Sequence, residues 1–187
     1  MTITQLPLLG AYSIEPKLFR DNRGYFFEWL NTEKFQNETN TNFIPVQFNS
    51  SKSSKGVLRG LHFQLNPTSQ AKLVAVTEGA IQDVLVDLRM GSPTYGQHHS
   101  EVIDHEKKNQ LFIPKGFAHG FLVLSEAAEI FYAIDDFYSP SDEGGLLYND
   151  PDLKIEWMLP DNEIILSEKD KVYKPFKERN FNFEYNV

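Results

Sequence analysis

Val57-Leu58-Arg59-Gly60-Leu61-His62-Phe63-Gln64 is an apolar, strand-like run that carries an arginine and a histidine three residues apart, with a glycine between them. A solvent-facing loop would be less apolar, and a pure core strand would hold neither a guanidinium nor an imidazole. The run therefore reads as a sheet interior that lines a polar pocket. Strict alternation puts Arg59 and His62 on opposite faces. Both reach one pocket if the strand bulges, and Gly60 is the natural place for the extra residue. A lone strand histidine is more often a hydrogen-bonded core residue than a base, but the neighbouring arginine and glycine favour a functional one.

On either side of this run the apolar segments are short, rich in β-branched and aromatic residues, and broken by Gly, Pro, Asn and Asp. Leu73–Val76, Ile81–Leu88, Gln110–Ile113, Phe117–Leu124 and Glu129–Ile134 are the expected strands. Within Ile81–Leu88, Val84, Val86 and Leu88 alternate with Asp83, Leu85 and Asp87, nearly a period of two. Asp21 to Gly24 reads as a turn before a strand, and Asn49 to Lys55 as a loop. His98 and His99 fall in a loop-like stretch. Helical periodicity is scarce: Thr32–Glu38 can form one short helix capped by Thr32, and the chain from Asp161 onward can hold another. The expected fold is all-β, a double-sheet sandwich or barrel with a few short helices.

The 187 residues favour one domain, spanning 1–187, with a sizeable core. Fifteen Phe and eight Tyr argue against disorder. The absence of cysteine excludes a disulfide framework, a thiolate zinc site and a cysteine nucleophile. The first residues, MTITQLPLLGAY, have neither a basic nor a long apolar stretch, and no window reaches the ~20 apolar residues of a membrane span. A cytoplasmic protein is expected. A net charge of −8 argues against nucleic acid or a membrane surface as partner. It leaves room for a small anionic ligand, and two of the five arginines, Arg23 and Arg59, lie in the segments that look most like a site.

Several side chains carry two readings. Lys72 shares a face with Val74 and Val76, where it either snorkels at a strand end or meets a ligand. Tyr132, between Ile130 and Ile134, is either core with its hydroxyl at the edge or a general acid in a pocket. Ser167 and Asp170 have the spacing of an approximate capping box. Arg23 and Glu28 alone can be solvated charges. Ile113-Pro114-Lys115-Gly116-Phe117-Ala118-His119-Gly120-Phe121 sets a histidine just after a tight turn, and it resembles the second motif of the cupin superfamily. The first cupin motif of metal-binding members has His-x-His, where this chain has His62-Phe63-Gln64, so a His-rich metal site is not supported. His98 and His99, as neighbours, point apart, and His105 lies among charges that suggest exposure.

In order, DNRGYFFE, VLRGLHFQ, AKLV, DVLVDLR, SPTYG, PKGFAHGFLVLSE, YNDP and LSEKD resemble the dTDP-4-dehydrorhamnose 3,5-epimerase family, non-metal cupins of deoxysugar biosynthesis. The resemblance runs from Phe19 to Asp170. It implies a cupin-type double-sheet jelly roll, a homodimer, no cofactor and no metal. It also implies a nucleotide-sugar substrate, dTDP-4-keto-6-deoxyglucose, epimerised at C3 and C5 to dTDP-4-keto-rhamnose. By resemblance His62 is the base, Asp170 orients it, Tyr132 is the general acid on the opposite face and Lys72 stabilises the enolate oxygen. Arg59 and His119 hold the substrate, and Arg23, Glu28, Gln47, Asn49, Glu143 and Lys169 match nucleotide-sugar contacts. The chain departs from the family pattern at Ala71, Ala133 and Tyr148, none of which is a proposed catalytic group. A sister activity inverting only C3 or only C5 shares these motifs. The missing His-x-His argues against a metal-dependent cupin, and His62, Lys72, Tyr132 and Asp170 together argue against a non-catalytic sugar-binding one.

Overall fold

The structure, a computed structural model, describes residues 1–185. Its strands are β1 (Thr2–Gln5), β2 (Tyr12–Glu15), β3 (Phe19–Asp21), β4 (Gly24–Phe26), β5 (Gln47–Ser54), β6 (Leu58–Gln64), β7 (Lys72–Glu78), β8 (Ala80–Asp87), β9 (His98–Asp104), β10 (Gln110–Ile113), β11 (Phe117–Val123), β12 (Ala127–Ile134) and β13 (Glu143–Gly145). A six-stranded sheet has the order β1-β2-β10-β7-β12-β5, and a five-stranded sheet the order β13-β6-β11-β8-β9. β3 and β4 pair as a separate hairpin. The strand pairs are antiparallel, so the two sheets form the expected double-sheet sandwich.

Alternation along each strand decides what meets between the sheets. Val74 and Val76 of β7 and Ile130 of β12 pack against Ile81 and Leu85 of β8 and Phe117, Phe121 and Val123 of β11. Most of these are fully buried, and each such side chain contributes roughly 1.5–3 kcal/mol. This interior lets one end of the sandwich carry polar groups. The other face of the five-stranded sheet, with Leu61, Phe63, Val84 and Val86, is covered by Leu146, Leu153, Phe181 and Phe183 from the C-terminal third. The outer face of the six-stranded sheet lies under α1 (Thr32–Thr39), whose Phe35 buries against Phe112 and Phe43.

Three local expectations are corrected. Asn49 to Lys55 is not a loop: it lies almost wholly in β5, paired to β12 from Gln47↔Ile134 to Ser54↔Ala127. Its Ser, Asn and Lys residues suit an edge strand with one face towards water, and the backbone ladder outweighs their weak β-propensity. His98 and His99 open β9, paired to Val86 and Leu85 of β8. The cap of α1 is Asn31, whose Oδ1 accepts from the Lys34 amide at 3.0 Å, one residue earlier than Thr32. Beyond Asp161 the chain forms three single turns of 3-10 helix, Asp161–Glu163, Asp170–Val172 and Phe176–Glu178.

Candidate active site

The site begins at the bulge in β6. His62 pairs with His119 of β11 and Arg59 pairs with Phe121, so three steps along β6 match two along β11. The extra residue turns both Arg59 and His62 to the face that His119 and Phe121 share, between the sheets. Gly60 allows it: its φ is +126°, and a Cβ there would lie 2.4 Å from the Gly120 Cα and 2.8 Å from the His119 carbonyl. Arg59 reaches across and donates from Nε to Ser53 Oγ on β5 at 3.1 Å.

The chain after Ile164 delivers the partner of His62. Ile165 makes a parallel bridge with Val57, donating to the Gly56 carbonyl at 2.8 Å and accepting from the Leu58 amide at 2.9 Å. The following 3-10 turn then sets Asp170, 3% exposed, beside His62 with Nε2 and Oδ1 2.6 Å apart. Ser167 Oγ donates to the other carboxylate oxygen at 2.8 Å, so the capping pair and the histidine partner are the same carboxylate in two roles. Burial opposes the charge on Asp170, but the hydrogen bonds from His62 and Ser167 and the nearby charges of His62 and Lys169 hold its pKa below the usual value. An ionised carboxylate only accepts, so His62 Nε2 carries a proton, and whenever the ring is neutral Nδ1 holds the lone pair. Tyr173 packs edge-on against the imidazole at 5.8 Å.

The facing wall comes from the other sheet. Lys72 at the start of β7 and Tyr132 in mid-β12 point into the same space. Desolvation lowers the Lys72 pKa to about 8 against the opposing pull of Asp83 and Glu143, and Lys72 makes no ion pair among the described residues. Burial raises the Tyr132 pKa, with Arg59 acting the other way; the phenol is therefore held protonated. His119 Nε2 lies 2.8 Å from Asp83 Oδ2. Glu143 accepts from the Tyr138 hydroxyl at 2.8 Å and from Lys169 Nζ. Burial opposes its charge, and these two hydrogen bonds together with the charges of Lys169 and His62 keep its pKa low.

These groups enclose a cavity of about 270 Å³ lined by Gln47, Asn49, His62, Gln64, Gln70, Lys72, Tyr132, Tyr138 and Glu143 among others. It adjoins a recess of about 180 Å³ formed by Ser51, Arg59, His62, Lys72, His119 and Tyr132 with the apolar Phe121 and Ile130. His62, Lys72 and Tyr132 line both. A base on one wall and a phenol and a cation on the other can remove a proton from a carbon acid, stabilise the oxyanion and return a proton elsewhere.

A family model described as dTDP-4-dehydrorhamnose 3,5-epimerase matches residues 5–178. The chain belongs to that family. The dTDP-4-dehydrorhamnose 3,5-epimerase of Pseudomonas aeruginosa is 48% identical over 176 residues, 94% of this chain and 96% of that protein. The crystal structure of the enzyme of the same name from Elizabethkingia anophelis superposes with a TM-score of 0.94 at 48% identity, covering 97% of this chain and 99% of its own. A dTDP-6-deoxy-D-glucose-3,5-epimerase from Legionella pneumophila, solved in complex with dTDP-4-keto-L-rhamnose, also has a TM-score of 0.94, at 40% identity over 100% of this chain and 99% of its own. The shared fold is the cupin-type jelly roll.

Of the residues singled out from sequence, Gln47, Asn49, Arg59, His62, Lys72, His119, Tyr132 and Glu143 line the cavity or its recess, with Asp170 behind His62 and Lys169 at the rim on Glu143. Arg23 and Glu28 do not line it. Arg23 lies at the β3–β4 turn, 85% exposed and paired with Asp21 at 2.5 Å, beside a separate groove. Sequence reasoning missed Asp83, Gln64, Gln70, Tyr138 and Tyr173. Only Asp83 carried a signal, as one of two acids in a strand otherwise mostly apolar.

Proposed function

We propose that this chain epimerises C3 and C5 of dTDP-4-keto-6-deoxyglucose, yielding dTDP-4-keto-rhamnose, by proton removal and return through an enolate. The observation that carries the reading is the placing of His62 and Tyr132 on opposite walls of one cavity with Lys72 beside both. The neutral His62 Nδ1 takes the proton next to the ketone. The C4 carbonyl becomes an enolate oxygen, which the Lys72 ammonium stabilises; a C–H beside a ketone is acidic enough only if that charge is met. Tyr132 then gives its proton to the opposite face, inverting the centre. The proton on His62 and the phenolate of Tyr132 reset through solvent, so each inversion places a solvent-derived hydrogen on carbon. Asp170 holds the imidazole in the useful tautomer and offsets its charge after proton transfer.

Arg59 and His119 support the sugar end, and Gln47, Asn49, Glu143 and Lys169 line the way to the nucleotide. A homodimer is part of the same reading. β5 is an edge strand, and Phe48 on it with Ile44 and Val46 before it are exposed, as are Phe19, Tyr25 and Phe26 of the β3–β4 hairpin. A second copy would cover these groups and bring Arg23 and Glu28 to substrate. The chain is read as one domain over 1–187 acting in the cytoplasm, where a charged nucleotide sugar that cannot cross a bilayer unaided would be met. No helix among the described residues is long and apolar enough to cross a membrane.

Proton NMR of dTDP-4-keto-6-deoxyglucose with the protein in deuterated water tests the reading. Deuterium at both C3 and C5 with inversion at both supports it. Exchange at a single carbon selects a mono-epimerase, and no exchange refutes it.

A further inference from the structure

Asp83 is the unexplained charge of the site. It sits in mid-β8, opposite Phe121 of β11 and two residues from Leu85, which lies opposite His119. Residues directly opposite share a face, so Asp83 points between the sheets with His62, Arg59 and His119. It is 0% exposed. One carboxylate oxygen takes the His119 ring nitrogen at 2.8 Å; the other is buried with no hydrogen-bond partner among the described residues. A buried carboxylate left half-satisfied is costly unless a cation faces it, and an amide would serve His119 equally well as an acceptor.

We propose that Asp83 is a positioning residue whose free carboxylate oxygen supplies the counter-charge that keeps the Lys72 ammonium protonated and held against the cavity. The groups facing Lys72 are Arg59 and His62 from β6, His119 from β11, Tyr132 from β12, Glu143 from β13 and Asp83 from β8. Burial disfavours the cation. Of the two carboxylates, Asp83 exerts the larger pull on Lys72, and Glu143 is already bound by Lys169 and Tyr138. The task assigned to Lys72 rests on the epimerase reading; the charge coupling does not.

The test is Asp83→Asn, which keeps the shape and an acceptor for His119 and removes the charge. In lysine-labelled protein, with Lys72→Met for assignment, the Lys72 titration midpoint, about 8 in wild type, should fall by about one to three units, the usual range for losing a nearby opposite charge. In turnover, the ratio of variant to wild-type kcat should recover as pH falls, with KM little changed, because lower pH restores the cation. An unmoved Lys72 midpoint, or a kcat ratio flat with pH, overturns the proposal. Should the variant not fold, wild-type protein decides: the Asp83 carboxyl carbon resonance should inflect at the Lys72 midpoint, and a flat trace overturns the proposal. A Lys72 midpoint that moves with Asp83→Asn, when the wild-type protein itself shows no epimerisation, supports the coupling and refutes the epimerase reading instead.

Discussion

Replacing Gly60 with alanine is expected to destabilise the protein by about 2–6 kcal/mol, from two contributions of roughly 1–3 kcal/mol each. The first is backbone strain at a φ of +126°, which L side chains rarely adopt. The second is overlap: the new Cβ meets the Gly120 Cα at 2.4 Å and the His119 carbonyl oxygen at 2.8 Å, both main-chain atoms that no rotamer change can move aside. Gly24 separates the two. Its φ is +132°, yet nothing lies within 4 Å of a Cβ built there, so Gly24→Ala should show the strain alone, roughly 1–3 kcal/mol. Denaturant unfolding of the three proteins at one protein concentration, with matching m-values, reads both differences. At this chain length each kcal/mol corresponds to about 2–4 °C in Tm. The same overlap should push β6 from β11 where His62 faces His119, so folded Gly60→Ala should lose turnover beyond its unfolded fraction. A Gly60→Ala no less stable than Gly24→Ala, or one with wild-type turnover when folded, refutes the claim that this bulge aims Arg59 and His62.

Three further outcomes are expected. His62→Ala should lower both turnover and deuterium exchange at C3 and C5 by roughly 100- to 10,000-fold, the range for a general base; near wild-type exchange by NMR assigns the base elsewhere. Tyr132→Phe should retain much of the exchange while suppressing inversion, because His62 can return a deuteron to the face it came from; loss of both together, or of neither, removes Tyr132 from the acid role. Lys72 is a cation below about 8 and neutral above it, so kcat should fall as pH rises through that value, and Lys72→Arg, whose guanidinium stays charged, should displace the limb; an unmoved limb in that variant belongs to another group.

Much of the fold was legible because alternation survives in the strands that build the core. Gln110–Ile113 is observed with the expected ends, and the runs around Val74, Val84, Leu122 and Tyr132 differ from their observed strands by at most two residues at either end. The bulge was legible from three residues, since Arg59 and His62 can share a face only if one extra residue lies between them. What escaped was decided by partners. β5 is written in Ser, Asn and Lys, and only the β12 ladder makes it a strand. Asp83 stood in plain view in Ile81–Leu88, but which face of that strand meets the cavity depends on its register with β11. Tyr138 sits in a loop outside the named strands, held by its backbone amide on Gln47 and its hydroxyl on Glu143, contacts without a sequence period.

The sandwich also explains how a chain of this size can set an acid and a base against opposite sides of one carbon. Side chains alternate between the two faces of a sheet, so two groups on the same face of one sheet approach a ligand from one direction. Here the base comes from β6 in the five-stranded sheet and the phenol from β12 in the six-stranded sheet, and the gap between the sheets becomes the reaction space. The same geometry places the charges. Asp83 and Asp170 lie on the histidine side, where each accepts from an imidazole, and Lys72 faces them from the other sheet next to Tyr132. A carboxylate beside the phenol would raise its pKa further and weaken it as a donor; Arg59 acts in the opposite sense. In the proposed mechanism, inversion and oxyanion stabilisation follow from one division of labour, with proton acceptance on the five-stranded sheet and proton delivery and the Lys72 ammonium on the six-stranded one.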